Sequence, residues 1–281
     1  MTSPRSLLKA WQIRPRKSMG QHFLQDSNAA SMIVRHGGFD RQDVILEIGA
    51  GLGALTVPLA RNAGHVLAVE PDSKIAALLG NELLAAGVSN VTIIQEDILR
   101  CDIKALTDGA AHDRPIKVVG NLPYHISSQV LIHLISGRRC IDSALLMFQK
   151  ELAERLLARP GTKVYGRLSV LVQYCAEIDA IAQVAAPSFY PQPKVDSTVV
   201  RTRFLDPPPF PAADEGLFLK IVRAAFAKRR KTLKNALTRS DLGFNEGQVL
   251  GALRSTGVDP RRRAETLSVP DYVALANLLK G

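Results

Sequence analysis

The chain has 281 residues, 46% of them hydrophobic, which is enough for two domains with buried cores. Its formal net charge of +10 favours a polyanionic partner. Three isolated cysteines without Cys-x-x-Cys spacing argue against a disulfide framework or zinc site, and no apolar run reaches transmembrane length. We therefore expect a cytoplasmic protein that holds no metal and does not enter a membrane.

The first informative element is an apolar strand over Val44–Ile48, followed by glycines at positions 49, 51 and 53. Glycines between a strand and a helix let the backbone approach a ligand closely and free the N–H groups at the helix start. A helical pattern follows over residues 54–62, in which Pro58 predicts a kink or a later start.

Two further predicted strands end in acidic residues. The strand His65–Val69 precedes Glu70, whose carboxylate can bind ribose hydroxyls, and residues 91–95 precede Glu96 and Asp97. Asp97 can accept a hydrogen bond from the amine of a cofactor's adenine. Strands alternating with helices predict an α/β fold with a doubly wound, mostly parallel sheet, whose ligands bind at the carboxyl ends of the strands.

A fourth predicted strand, residues 116–120, ends in the sequence Asn-Leu-Pro-Tyr. The exocyclic amine of adenine is a poor nucleophile, so an enzyme that alkylates it must position the nitrogen and accept hydrogen bonds from it. Asn121 and the Leu122 carbonyl can be those acceptors, Pro123 restricts the backbone, and Tyr124 can stack on the base for roughly 1–3 kcal/mol.

The glycine turn alone leaves two interpretations open. Its spacing with Ala54, together with Glu70, also satisfies the loose pattern of nicotinamide-dinucleotide enzymes. The fourth strand separates the two, because a dehydrogenase has no evident use for Asn-Leu-Pro-Tyr, whereas methyl transfer to an amine does.

Five segments together resemble the ribosomal RNA adenine dimethyltransferases: residues 17–24, 47–53, 121–124, 165–169 and 187–197. This family uses S-adenosylmethionine to methylate two adjacent adenosines near the 3′ end of small-subunit (16S) ribosomal RNA. The resemblance implies a Rossmann-like class I methyltransferase that acts on this RNA or on a pre-assembled small subunit during its biogenesis, and we expect a monomer. Two alternatives stay open: the large-subunit adenine methyltransferases of macrolide resistance, and a ribosome-assembly factor with residual catalysis.

The resemblance also assigns roles to individual residues. It places Phe189 opposite Tyr124 across the extruded base, with Tyr190 as the alternative. His22 stands where some members carry asparagine. The cofactor site that the resemblance and the glycine turn imply comprises His22, Leu24, Gly49, Gly51, Glu70, Asp97 and Asn121; the catalytic residues are Asn121, Leu122, Pro123, Tyr124 and Phe189.

The positive charge is concentrated at the two ends of the chain. Residues 1–25 carry an excess of five cations, and residues 206–281 contain 13 Lys or Arg against 8 acids. The densest cluster lies in a helical pattern that runs from Phe218 to Leu237, which predicts cations on the exposed face of one helix. The expected RNA-binding residues are Arg16, Lys17, Lys228, Arg229, Arg230 and Lys231.

A proline-rich segment, residues 206–211, divides the chain. We expect a catalytic domain with a basic N-terminal segment over residues 1–205, and a small helical RNA-binding domain over residues 206–281.

Overall fold

The computed structural model describes residues 3–108, 114–228 and 230–280, so the predicted RNA-binding residue Arg229 lies outside the described residues. The chain forms two compact units. The first unit comprises Met1–Ala153 and Asp179–Phe204, and the second comprises Glu154–Ile178 and Leu205–Gly281.

The strands of the described residues form two sheets. Their bounds are β1 Phe23–Leu24, β2 Val44–Ile48, β3 His65–Val69, β4 Val91–Ile94, β5 Ile116–Asn121, β6 Ile141–Gln149, β7 Ala176–Val184, β8 Phe189–Tyr190 and β9 Ser197–Phe204. The large sheet has the order β4-β3-β2-β5-β6-β9-β7, and β1 pairs with β8 in a separate two-stranded sheet. The predictions of β2 and β3 are confirmed at both ends.

Some of the helices connect the strands of the first unit, and the others form most of the second unit. Their bounds are α1 Pro4–Ala10, α2 Ser27–Gly37, α3 Thr56–Asn62, α4 Ser73–Ala85, α5 Ile103–Asp108, α6 Ser127–Ser136, α7 Lys150–Leu156, α8 Arg167–Cys175, α9 Glu215–Phe226, α10 Leu233–Thr238, α11 Glu246–Ser255 and α12 Val269–Leu279. In the part of the chain that the structure describes, no helix is long and apolar enough to cross a bilayer.

The predicted doubly wound sheet is confirmed by the pairing of its central strands. β2 pairs in parallel with both β3 and β5, and β5 pairs in parallel with β6, while β6 and β9 are antiparallel. The interior residues of β2 are buried on both faces, as is typical of a parallel strand covered on each side. In the register of β2, Ile48 lies opposite both Val69 and Gly120, so three strands end at the same edge.

The second unit is helical apart from the first residues of β7, and it begins earlier in the chain than the sequence indicated. Residues 154–178 belong to it together with the C-terminal segment. The physical reason is aromatic packing that the proline-rich boundary did not reveal: the Tyr174 ring, at the end of α8, lies 4.3 Å from the Phe218 ring of α9.

The single helix predicted around the basic cluster is wrong. α9 ends at Phe226, and α10 begins at Leu233, where the Thr232 hydroxyl caps it by accepting a hydrogen bond from the Asn235 N–H. A continuous helix would place like charges three residues apart on one face, which is unfavourable. Lys228, Arg230 and Lys231 therefore lie in the connection between the two helices.

Gly120→Ala should destabilise the first unit. A Cβ at this position would lie 2.9 Å from the Ile48 carbonyl oxygen, which is backbone of β2 and cannot easily yield. We expect the free energy of unfolding in urea to fall by about 1–3 kcal/mol.

Gly80→Ala, in α4 of the same unit, is the matched control. Its Cβ would make an ordinary 3.7 Å contact with the Ile93 Cδ1 atom. The free energy of unfolding of this variant should rise by roughly 0.5–1 kcal/mol, because alanine is favoured over glycine within a helix. Equal effects of the two substitutions would contradict the close approach of β2 and β5.

Candidate active site

A pocket opens at the edge where β2, β3 and β5 end. It brings together most of the predicted site residues, which come from four separate parts of the first unit. Those lining it are His22, Leu24, Gly49, Gly51, Glu70, Asn121, Leu122, Pro123 and Tyr124. The remaining wall includes Glu47, Gln21 and Phe23.

The glycine turn brings the backbone of β2 against the end of β5. Gly49 has a φ of +74° and Gly51 a φ of +56°, a conformation that L side chains rarely adopt. A Cβ at Gly49 would approach the Asn121 carbonyl oxygen to 3.2 Å. The lack of a side chain at residue 49 therefore lets the turn approach the tip of β5 without displacing it.

Glu70 holds this turn in place from β3. Its carboxylate oxygens accept hydrogen bonds from the backbone N–H of Gly51 and from that of Asp72, each at 3.0 Å. The side chain is buried, and burial raises the pKa of Glu70 although both backbone bonds oppose the shift. The residue predicted to bind ribose thus also fixes the shape of the glycine turn.

Glu47 is a pocket residue to which the sequence assigned no separate role. It is 1% exposed, and its Oε2 atom has no hydrogen-bond partner among the described residues. Burial, reinforced by the negative charge of Glu70, raises the pKa of Glu47 to about 8. The sequence feature that could have identified Glu47 as a functional residue is a carboxylate within an otherwise apolar strand, since such groups are rarely buried without a partner.

The tip of β5 presents an amide with a defined orientation. The Asn121 Nδ2 atom donates a hydrogen bond of 2.8 Å to the His22 carbonyl oxygen. With this donor engaged, the Asn121 Oδ1 atom is the acceptor that remains for a ligand amine. The Leu122 side chain is buried, which anchors the tip in the core.

Tyr124 is fixed at both ends. Its hydroxyl shares a 2.8 Å hydrogen bond with the Ser197 hydroxyl, and its carbonyl oxygen accepts one from the Ser127 hydroxyl at 2.8 Å. Burial raises the pKa of Tyr124, so the phenol stays protonated. A neutral, immobile ring is suited to stacking on a planar base.

Three predicted residues lie away from the pocket. Asp97 caps a 3-10 turn by accepting a hydrogen bond from the Leu99 N–H at 3.0 Å, and it does not line the pocket. Phe189 is 1% exposed and packs in the core with Leu24, so the structure does not place it opposite Tyr124. Tyr190 packs against a second apolar cluster.

The position of Phe189 follows from local strand geometry. Successive side chains of a strand point to opposite faces, and β8 is only two residues long. Pairing of Leu24 with Phe189 and of Phe23 with Tyr190 sends the two aromatic rings of β8 into different clusters. An extended proline-rich loop, as the sequence suggested, would have left either ring free to face the pocket.

The basic N-terminal segment is tied to the start of α4. The Arg16 Nε atom lies 3.5 Å from the Asp72 carboxylate, and the Gln21 amide donates to the same oxygen at 3.3 Å. Lys17 is exposed. The sequence revealed the cations of this segment, but it did not reveal that Asp72 pairs with Arg16.

The pocket has the chemical groups that S-adenosylmethionine requires. The unpartnered Glu47 oxygen suits an ammonium group, Glu70 suits a ribose diol, and the glycine turn leaves room for a ligand near the backbone. Among the residues that the structure describes, no cluster of His, Cys, Asp and Glu could hold a metal ion.

Comparison with known proteins decides the family. The sequence model of the family described as ribosomal RNA adenine dimethylase matches residues 13–280, nearly the whole chain. The chain belongs to the ribosomal RNA adenine dimethylase family. This family member is an RNA methyltransferase that uses S-adenosylmethionine, and its substrate is ribosomal RNA.

Individual relatives agree with this assignment. The family member is 47% identical to the ribosomal RNA small subunit methyltransferase A of Desulforapulum autotrophicum, over 99% of this chain and 97% of the relative. It is 42% identical to the ribosomal RNA small subunit methyltransferase A of Moorella thermoacetica, over 95% of this chain and 93% of the relative.

Two solved structures share the fold over most of the chain. A dimethyladenosine transferase from Plasmodium falciparum has a TM-score of 0.77 and 26% identity, over 90% of this chain and 96% of the other. The 23S rRNA methyltransferase ErmE has a TM-score of 0.68 and 25% identity, over 92% of this chain and 100% of the other. The expected Rossmann-like methyltransferase fold is confirmed.

Glu47→Gln should remove a pH dependence of stability. Folded protein retains the Glu47 proton up to a pKa of about 8, against 4.5 as its ordinary value. This group therefore stabilises the fold at low pH, and that contribution is lost as the pH rises through about 8. As the pH rises from about 5 to 9, the free energy of unfolding of the variant should increase relative to that of the wild type by on the order of a few kcal/mol. Urea unfolding at each pH measures this difference.

Glu82→Gln provides the control, because Glu82 is a half-exposed residue of α4 in the same unit. Its stability profile should run parallel to that of the wild type. A parallel profile for Glu47→Gln as well would show that Glu47 is ionised in the folded protein.

Proposed function

We propose that this enzyme transfers methyl groups to the exocyclic amines of two adjacent adenosines near the 3′ end of small-subunit ribosomal RNA. It acts as a cytoplasmic monomer during small-subunit biogenesis. The observation that carries the proposal is the position of Asn121, whose amide is oriented by the His22 carbonyl and whose backbone adjoins the glycine turn.

The residues of the pocket act by positioning the adenine. The Asn121 Oδ1 atom and the Leu122 carbonyl accept hydrogen bonds from the amine, and Tyr124 stacks on the ring. S-adenosylmethionine, when bound, supplies an electrophilic methyl group on a positively charged sulfur. The residues that would hold it are Glu47, Glu70 and the glycine turn, and its adenine amine remains the proposed partner of Asp97.

Proton transfer needs no general base before attack. An amine held by the Asn121 Oδ1 atom and the Leu122 carbonyl would give up its proton to solvent only after it had been alkylated by the bound cofactor. Alignment and hydrogen bonding therefore provide the acceleration. The adenine must be unpaired or swung out of its stack to reach the tip of β5.

The relatives support the small subunit as the source of the substrate. Those named as small-subunit methyltransferases are 47% and 42% identical to this chain, whereas the large-subunit enzyme ErmE is 25% identical. Incubation with labelled S-adenosylmethionine and a mixture of unmodified small-subunit and large-subunit particles, followed by mapping of the labelled nucleotides, tests the proposal. Label that enters large-subunit RNA instead would refute it.

Asn121→Ala should abolish methyl transfer while RNA and cofactor still bind. The substitution removes the amide that holds the amine, and it leaves the backbone contact with the glycine turn in place. We expect the methylation rate to fall by roughly a hundredfold or more, in line with the loss of a positioned transition-state contact. Single-turnover methylation and binding of each ligand are the measurements.

Asn81→Ala is the matched control, because Asn81 is exposed on α4 and donates its amide to a carbonyl of its own helix. It should retain full activity. Turnover by the Asn121 variant at the rate of this control would refute the assignment.

A basic groove in the second unit is the proposed RNA contact. It lies along α9, the connection after it and α10, and Asp241 is the one acid among the described residues that line it. The cations lining the groove are Lys220, Arg223, Lys228, Lys231 and Arg239. All five are exposed, so they are free to neutralise phosphates.

Joint substitution of the groove cations Lys228 and Lys231, together with their exposed neighbour Arg230, by alanine should weaken RNA binding. The logarithmic dependence of affinity on salt should become shallower by roughly 0.7–0.9 for each phosphate that the protein no longer neutralises. Cofactor affinity should be unchanged, since these residues belong to the second unit. Filter binding at several salt concentrations and calorimetry with S-adenosylmethionine measure the two effects.

The matched control replaces three exposed cations of the first unit, Arg61, Lys74 and Lys104. This triple variant loses the same net charge. If both triple variants change the salt dependence equally, the effect comes from net charge and the groove is not the contact.

A further inference from the structure

An exposed tryptophan ends the first helix of the chain. Trp11 is the single tryptophan of the sequence, and it is 46% exposed. In the part of the chain that the structure describes, its ring is paired with no other aromatic ring and with no cation. One exposed apolar side chain is ordinary on a protein surface, so its meaning depends on what holds it and what surrounds it.

The backbone around Trp11 is firmly held. The Gln12 N–H donates to the Lys9 carbonyl oxygen at 3.1 Å. The Ile13 N–H donates to the Leu8 carbonyl oxygen at 2.9 Å, which completes a Schellman motif with Trp11 as the C-cap of α1. Gln12 takes the left-handed position of this motif, with a φ of +54° that residues other than glycine rarely adopt. The indole is therefore presented to solvent by a backbone that needs no further ordering when a ligand binds.

The helix that carries Trp11 is docked beside the active-site pocket. Its apolar side chains belong to a cluster that also contains residues of β1, of the glycine turn and of α4. The buried members are Leu7, Leu8, Phe23, Leu52, Ile75 and Leu78. Phe23 and Leu52 also line the pocket, so α1 and Trp11 flank the place where the substrate enters.

Three exposed cations accompany the ring: Arg5, Lys9 and Arg14. Arg5 and Lys9 lie four residues apart on α1, where like charges repel each other. Residues 1–25 contain no acid, and none of the three cations forms an ion pair among the residues that the structure describes. A bound anion relieves this repulsion. An aromatic ring next to unpaired cations is suited to single-stranded nucleic acid, whose bases stack and whose phosphates are negative.

We propose that the Trp11 indole stacks on an unpaired base of the substrate RNA, beside phosphates that are bound by the exposed cations of the same segment. Those cations are Arg5, Lys9 and Arg14. The contact belongs to the first unit and is additional to the groove of the second. This inference rests on the proposed function, since the bound strand is the RNA that carries the target adenosine. Stacking is available to any base, so the contact holds the strand without reading its sequence.

Intrinsic fluorescence reports on this site alone, because the chain has one tryptophan. Full-length enzyme is titrated with an RNA oligonucleotide from the 3′ end of small-subunit RNA, either single-stranded or annealed to its complement. Excitation is at wavelengths that tyrosine does not absorb, and filter retention confirms that each RNA is bound. Stacking on Trp11 should quench the emission with the single strand. The duplex, whose bases are already stacked, should quench it much less.

Two substitutions separate the ring from its surroundings. Trp11→Leu removes the ring, and Trp11→Phe keeps a smaller one. We expect the Kd for the single strand and for small-subunit particles to rise roughly fivefold to hundredfold in the leucine variant, and by less than about threefold in the phenylalanine variant. Calorimetry with S-adenosylmethionine and urea unfolding should show both variants close to the wild type.

Leu84→Ala is the matched control for the ring, because Leu84 is 78% exposed on α4 of the same unit. Its Kd should be unchanged. For the charges, joint substitution of Arg5, Lys9 and Arg14 by alanine should make the salt dependence shallower by roughly 0.7 for each phosphate released. The triple variant of the other exposed cations in the first unit, described above, is its control and should keep the wild-type slope.

Four results would overturn the inference. They are unchanged fluorescence at saturating single strand, equal quenching by the duplex, a leucine variant that binds RNA as tightly as the wild type, and a phenylalanine variant as weak as leucine. A leucine variant that binds particles weakly but the oligonucleotide normally would also refute it, by assigning Trp11 to a ribosomal protein. Failure of the proposed function is distinguishable, because label would then enter large-subunit RNA whatever the fluorescence shows.

Discussion

The active site depends on the contact between the glycine turn after β2 and the tip of β5. With a φ of +74°, Gly49 lies so close to the Asn121 carbonyl that an added side chain would come within 3.2 Å of it. Parallel pairing brings the strand ends to one edge, and the glycine at position 49 lets the turn lie against the tip without displacing it. The turn and the tip can therefore line one pocket without an intervening side chain.

Two buried carboxylates shape that contact in opposite ways. Glu70 is satisfied by backbone N–H groups and fixes the turn. Glu47 is buried with one oxygen lacking a partner among the described residues, and such a group is unfavourable unless it is protonated or meets a cation. A positively charged ligand group would let Glu47 ionise without that penalty.

The sequence predicted the strand ends well, because apolar runs that stop at polar residues mark where a parallel strand leaves the core. β2 and β3 were predicted at both ends, and the pocket residues that follow them came from this pattern. Predictions failed in two kinds of segment. In a very short strand the sequence does not show which side chains face the core, and within a long helical pattern it does not show where one helix ends and another begins. A two-residue strand does not reveal which face Phe189 will take, and a Thr at position 232 can start a new helix within a periodic pattern.

Contacts between distant segments could not be read from any one of them. The basic excess of residues 1–25 favours RNA, yet the structure shows that Arg16 is paired with buried Asp72. Asp72 also accepts from the Lys74 N–H and the Gln21 amide, so it keeps partners if Arg16 leaves. Because Arg16 is 53% exposed, the pair is weak in water. The guanidinium can therefore exchange the carboxylate for a phosphate without leaving Asp72 unpartnered, which reconciles the predicted RNA contact with the observed ion pair.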